Sequence, residues 1–303
     1  MCPSFSETAV APPRSVSALV AGLRPRQWLK NLLVFAAPAA AGILGDPAQV
    51  RRAGIVFLGL CAVSSALYLI NDIGDVEADR LHPVKRARPI ASGALSIPAA
   101  LVAASVLMVG GLALVASVRL AALALVVLYV ATASAYTFAF KHVAVLELFI
   151  VAAGFVIRAG VGGVATNIPV TAWFLTVASF GSFAIVVGKR SCERNRSDLD
   201  PAATRSVLAR YTPQFLSKLQ IVSIAGTLLS YAMWAYERSS TIGRNGWFLE
   251  VSFAPFAIAV LRYLRLIQRG EAEVPEEAIF ADPTIALLGA LWLGCFVMAI
   301  HSL

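Results

Sequence analysis

Long apolar runs separated by short polar connections recur from residue 26 to residue 302. A helix needs about twenty apolar residues to cross the hydrocarbon core of a bilayer. On that measure the pattern predicts nine transmembrane helices, at 26–44, 50–71, 97–116, 120–139, 143–163, 170–189, 215–236, 247–264 and 283–302. Pro38 and Pro255 fall inside the first and the eighth, where a missing N–H and a ring clash bend a helix. No polar block is large enough to fold separately, so residues 21–303 read as a single all-α membrane bundle with polar cap loops. Residues 1–20, rich in Ser, Pro and Ala, lack the charged start and compact apolar core of a secretory signal and are expected to form a disordered tail.

Composition sharpens this picture. The chain is 59% hydrophobic with a mean hydropathy of +0.78, and only 14% of its residues are charged. Soluble domains carry about 25% charged residues, so an ordinary soluble protein is excluded. The net charge of +8 raises the question of nucleic acid, and the placement of the cations answers it. With a cytoplasmic N-terminus, nineteen of the 25 Lys and Arg residues fall on the inner side, five on the outer, and Arg158 within a span. That asymmetry sets membrane orientation and points to phosphate-bearing partners and membrane lipids, with no nucleic acid. The outer connections at 45–49, 117–119 and 164–169 are short, whereas the polar loops after the second and sixth helices both open on the cytoplasmic face. Cys2, Cys61, Cys192 and Cys295 are scattered without CxxC spacing, which predicts neither a disulfide framework nor a zinc site.

Candidate chemistry concentrates in residues 71–93, NDIGDVEADRLHPVKRARPIASG. Asp72, Asp75 and Asp79 are spaced i, i+3, i+7, so a helix continuing through them would align their carboxylates on one face. Such an oxygen-rich set suits a hard cation, and Mg²⁺ binds through carboxylates, retained waters and substrate phosphates. Lys85, Arg86 and Arg88 follow and can hold further phosphate oxygens. The competing reading is a solvated loop whose charges keep it out of the lipid.

Two ionisable residues lie within the fifth predicted helix, Glu147 and Arg158. Such groups are costly inside a membrane and are read first as functional. Eleven residues apart, they share a face about 16 Å apart along the axis, too far to pair. Glu147 lies near the cytoplasmic end and is expected to join the aspartates, while Gly154, Gly160, Gly162 and Gly163 would allow close helix approach. The sixth helix ends in GKRSCERN, where Lys189, Arg190 and Glu193 form a mixed site for a phosphate and one more metal-binding oxygen. Tyr136 and Lys141 reach the same face, and Arg205, Arg210 and Tyr211 are placed to cover it. In LRPRQWLKN, Arg24, Arg26 and Lys30 surround Trp28 in the manner of an interfacial anchor that can also meet a lipid phosphate. An ion channel or transporter is a further reading of the acidic cluster, but inverted repeats are common in transporters and the motif has no second copy.

NDIGDVEADR resembles the NDxxDxxxD signature of the UbiA-type intramembrane prenyltransferase superfamily, bundles of usually nine transmembrane helices with a polar cap. More narrowly, RPRQWLKNLLVFAAP, the 71–93 stretch, YTFAFKHVAVLELFIVAAGFVIRAGVGGVAT and GKRSCE resemble its decaprenyl-phosphate 5-phosphoribosyltransferase branch, in order and over nearly the whole chain. The resemblance implies transfer of phosphoribose from phosphoribosyl pyrophosphate to decaprenyl phosphate with Mg²⁺, and allows a homo-oligomer such as a trimer. It implies Asn71, Asp72, Asp75, Asp79 and Glu193 as metal ligands, with Asp72, Asp75 and Glu147 as the catalytic set. Lys30, Lys85, Arg88, Tyr136, Lys141, Arg158, Lys189 and Arg190 would hold substrate. Where the wider superfamily carries a second aspartate motif, this chain has Lys189, Arg190 and Glu193, which suits a donor phosphorylated at both ends. The superfamily's YxxxK spacing is lengthened by one residue between Tyr136 and Lys141. The alternative is a conventional member that moves a prenyl chain from its diphosphate to an aromatic or other polar acceptor.

Overall fold

The computed structural model describes residues 15–195, 206–272, 278 and 281–300. Helix α1 (Ser15–Leu23) leads into a 3₁₀ segment (Pro25–Phe35) and a short α2 (Ala36–Ala40). Next come α3 (Pro47–Gly74), α4 (Val76–Leu81), α5 (Ile97–Val118), α6 (Leu120–Ala135) and α7 (Leu146–Ala165). The chain continues through α8 (Ala172–Asn195), α9 (Pro213–Ile242), α10 (Trp247–Val251), α11 (Phe253–Gln268) and α12 (Pro283–Ile300). There is no strand among the described residues. The helices start where local chemistry directs. Asp46 accepts from the Ala48 N–H (2.8 Å) ahead of Pro47, and Thr212 accepts from Phe215 (3.2 Å) ahead of Pro213.

Among the described residues, eight helical stretches are long and apolar enough to cross a bilayer, counting α6 with its following turn and α10 with α11. The protein is a multi-pass integral membrane protein. Two expectations change. The first predicted span, 26–44, is not a long α-helix but the 3₁₀ segment followed by α2. Arg24 takes a left-handed conformation (φ 55°) before Pro25, which isolates the segment from α1. A 3₁₀ helix rises about 2.0 Å per residue, so with α2 the stretch still covers about 30 Å, the thickness of a hydrocarbon core. It does run end to end: Arg24 contacts Asp72 at one end of the bundle, and Ala41 accepts from Arg238 (3.2 Å) at the other. Its inward face repeats every three residues, as a 3₁₀ helix requires. Trp28 donates to Ser65 (3.0 Å), Asn31 donates to Ser64 (3.2 Å), and Val34 is fully buried. Trp28 is therefore tied inward to α3 rather than serving as a headgroup anchor alone.

The other change concerns the N-terminal tail. Helical structure begins at Ser15, with Ala18 packed against Ala66 and Leu69 of α3, while residues 1–14 lie outside the described residues. The eighth predicted span is broken at Ser252, because Pro255 has no N–H to offer the Val251 carbonyl. The main core gathers Leu60, Val63, Val126 and Val161 where α3, α5, α6 and α7 meet. Gly162 makes the closest approach, since a Cβ there would overlap the Val34 carbonyl, and Gly163 also lies against its neighbours. Gly160, by contrast, faces open space.

Candidate active site

The acidic stretch does not form one helical stripe. Helix α3 ends at Gly74, Asp75 occupies the junction, and α4 restarts at Val76. This break separates the three carboxylates. Asp72 and Asp79, 3% and 2% exposed, turn inward, whereas Asp75 turns toward Lys141 at 3.5 Å. Arg88, leaving a 3₁₀ turn at Lys85–Ala87, donates through one nitrogen to Asp79 (2.6 Å) and Asp72 (3.1 Å). Arg24 adds a second cation on Asp72 at 2.6 Å and stacks over the Tyr68 ring. Lys85 is partly buried beside this corner, and His82 accepts from the Val84 and Lys85 N–H groups, which fixes the loop.

Glu147 does not join the aspartates. It is fully buried and accepts both forks of Arg190 from α8, at 2.8 and 2.9 Å. Arg190 reaches on to Glu193 (2.7 Å), and Lys189 lies 4.0 Å from Glu193. Glu193 thus belongs to this cationic corner instead of completing the aspartate set. The turn before α7 is held open by Val145 at φ 69°, a strained conformation for a β-branched residue. Tyr211 secures it: the hydroxyl accepts from the Val145 N–H (2.9 Å) and donates to Glu147 (3.3 Å). Burial, reinforced by the Glu147 carboxylate against the opposing pull of the Val145 N–H, pushes Tyr211 up to about 12. Tyr211 therefore does cover the Glu147–Arg190 pair, and Arg194 donates to its carbonyl. Arg210 donates to the His142 carbonyl (3.3 Å), and Arg205 lies outside the described residues.

Beside Asn71 a cavity of about 230 Å³ opens, its walls largely apolar with Lys30, Asn71, Tyr136 and Arg158 among them. The Tyr136–Lys141 spacing is explained by its backbone. Residues 136–140 form a single π-helical turn closed by the Lys141 N–H on the Tyr136 carbonyl (2.9 Å), so the wider turn absorbs the additional residue. Lys30 donates to Gln27 at the cavity edge. Arg158 forms the floor, donating to Asn31 (2.9 Å), Tyr129 (2.7 Å) and the Gly154 carbonyl (2.8 Å). Asn31 and Tyr129 carried no chemical motif of their own. Only the need of a buried arginine for partners signalled that such residues had to exist.

Among the described residues, no three acidic, His or Cys side chains converge on one point. The arrangement is instead a pair of acidic groups bridged by arginine, a buried arginine clamped by two glutamates, and a cavity beside Asn71 that no carboxylate lines. The family model described as the UbiA prenyltransferase family matches residues 32–282. The chain belongs to that family. Among UbiA relatives, the decaprenyl-phosphate phosphoribosyltransferase of Mycobacterium tuberculosis H37Rv is 42% identical, over 95% of this chain and 97% of its own. The protein of the same name from Corynebacterium glutamicum is 37% identical, over 96% of this chain and 89% of its own. Among solved structures, a UbiA homologue from Archaeoglobus fulgidus bound to GPP and Mg²⁺ superposes with a TM-score of 0.70 at 17% identity, covering 94% of this chain and 99% of that one. Shared architecture at that identity establishes the UbiA fold for this bundle.

Proposed function

We propose that this UbiA member transfers the 5-phosphoribosyl group of phosphoribosyl pyrophosphate to decaprenyl phosphate, releasing pyrophosphate. The observation that carries the reading is the similarity of 37–42% to decaprenyl-phosphate phosphoribosyltransferases along nearly the entire chain. The geometry supports it, because a donor with phosphate at both ends needs two separated polar corners with cationic groups at each. The enzyme is placed in the plasma membrane with its N-terminus and the aspartate corner facing the cytoplasm, as the distribution of Lys and Arg favours.

A divalent cation fits the chemistry of the aspartate corner. One Arg88 nitrogen already bridges oxygens of Asp72 and Asp79, so a compact positive centre is accommodated between hard oxygen donors. Mg²⁺ would be held by Asp72 and Asp79 with Asn71, joined by Asp75 on release from Lys141, and it would neutralise charge on the departing pyrophosphate. The protein's own side chains do the rest. Arg24 and Arg88 are 30% and 27% exposed at their side chains, so both can exchange carboxylate for phosphate oxygens. Lys141 and Lys189, at 36% and 40%, remain accessible to a second phosphate. Glu147, sealed behind Arg190, holds that guanidinium in position rather than touching the ribose. A phosphate acceptor is already anionic near neutral pH, so its oxygen attacks the anomeric carbon without a strong base. One C–O bond forms to the lipid phosphate as the C–O bond to pyrophosphate breaks.

Incubation of membranes containing the protein with labelled phosphoribosyl pyrophosphate, decaprenyl phosphate and Mg²⁺ is expected to yield labelled lipid that disappears with EDTA. No labelled lipid, together with prenyl transfer to an aromatic acceptor, would replace this function by the conventional one.

A further inference from the structure

Residues 141–147 run from one polar corner to the other. Lys141 lies 3.5 Å from Asp75 at the first, and Glu147 accepts both forks of Arg190 at the second. Between them the backbone makes an uncommon reversal. The Leu146 N–H donates to the Ala144 carbonyl (2.8 Å) across Val145, whose φ of 69° and ψ of −50° are those of the γ-turn with positive φ. That turn is rare and strained, and the branched Cβ of valine adds to the strain. Such a conformation persists only where its surroundings over-determine it.

Here the surroundings come from residues 206–211. Tyr211 is 2% exposed, packed among Leu148, Val187 and Leu208, with its ring parallel to that of Phe215. Its carbonyl accepts from Arg194 of α8. From this fixed mount one hydroxyl accepts from the Val145 N–H (2.9 Å) and donates to Glu147 (3.3 Å), while Arg210 adds its bond to the His142 carbonyl (3.3 Å). The two ends of the connection are held unequally. Glu147 is fully buried against Arg190, whereas the Lys141 side chain is 36% exposed on its 3.5 Å contact. A turn relaxing to negative φ would therefore displace Lys141 and leave Glu147 in place.

We infer that Tyr211 is a positioning residue for the donor: by holding the γ-turn it sets how far Lys141 stands from Lys189 and Arg190. The inference rests on the proposed transferase reaction, in which Lys141 and Lys189 are left to the phosphate that the aspartate corner does not hold. Pyrophosphate alone engages only the aspartate corner, with Arg24 and Arg88, and does not sense that spacing. Phosphoribosyl pyrophosphate does.

The test uses purified full-length protein in detergent with Mg²⁺, following labelled lipid formation and, by calorimetry, the binding of phosphoribosyl pyrophosphate and of pyrophosphate. Tyr211→Phe is expected to raise KM for phosphoribosyl pyrophosphate about 10-fold, the effect of one hydrogen bond, with kcat nearly unchanged, as for a loss of binding shared by ground and transition states. Pyrophosphate affinity should stay at the wild-type value. Adding Val145→Gly to Tyr211→Phe should restore most of the lost donor affinity, because glycine takes a positive φ without strain. The inference is overturned if folded Tyr211→Phe keeps the wild-type KM, if donor and pyrophosphate weaken alike, or if the glycine variant recovers nothing. Should Tyr211→Phe fail to fold, Arg210→Gln, which removes the exposed tie to His142, replaces it, and an unchanged KM overturns the inference equally. A wild type that binds phosphoribosyl pyrophosphate but forms no labelled lipid would defeat the transferase reading alone, and the calorimetric comparison would still decide the role of Tyr211; a wild type that does not bind it overturns the inference.

Discussion

Replacing Glu147 by Gln tests whether that carboxylate holds Arg190 or faces the substrate. The substitution preserves shape but sets an amide NH₂ against a guanidinium that now donates two bonds to Glu147, at 2.8 and 2.9 Å. Removing one member of a buried ion pair costs about 3–5 kcal/mol. Here Glu193 still binds Arg190 at 2.7 Å, and Gln retains one acceptor, so about 2–3 kcal/mol is expected. For a chain of this size that corresponds to a fall of roughly 5 °C in Tm. Thermal unfolding in detergent should show it, accompanied by weaker donor binding. The double substitution Glu147→Gln, Arg190→Met should show a coupling of about 2 kcal/mol. Additivity within about 0.5 kcal/mol, or an unchanged Tm with kcat alone lost, would refute the holding role and place Glu147 against the substrate.

Asp72→Asn and Asp75→Asn should each abolish turnover while the protein still folds, and Asp72→Asn should show the larger loss of Tm because Arg24 and Arg88 both rest on it; wild-type turnover in both purified variants would remove the metal site from this corner. Gly162→Ala should destabilise by about 3 kcal/mol through overpacking against Val34, read as a lower Tm, whereas Gly160→Ala, facing open space, should be nearly neutral. Tyr211 is neutral in the folded protein and pushed up to about 12, so its contribution is intact below the ordinary tyrosine pKa and is lost as pH rises from about 10 toward 12. Unfolding scans across that window should show the wild type losing stability relative to Tyr211→Phe; parallel curves would contradict the assignment.

The spans were legible because twenty-residue apolar runs admit few other readings, and Lys189, Arg190 and Glu193 were legible because neighbours on one helix turn are fixed by local geometry. What escaped was the long-range pairing. Arg190 meets Glu147 43 residues away, Arg24 meets Asp72 across 48, and Arg158 meets Asn31 across 127. No local pattern encodes such contacts, so Glu147 was assigned to the nearer-seeming aspartates and Arg24 to the headgroups. The break after α3 did leave a trace, since Gly74 sits between Asp72 and Asp75 where a continuous stripe would need a good helix former. The first span misled because a short apolar run satisfies a period of 3.0 as readily as 3.6.

That threefold period has a consequence for how the N-terminal crossing can vary. Trp28, Asn31 and Val34 face the bundle, whereas Arg26, Leu29 and Leu32 are exposed. Point changes on the exposed row leave the inward contacts in place. Inserting or deleting a single residue within Pro25–Phe35 would instead rotate everything beyond it by about 120°, carrying Asn31 away from Arg158 and Val34 away from Gly162 together. The segment behaves as a ratchet of three teeth, tolerant of substitution and intolerant of any change in length that is not a multiple of three.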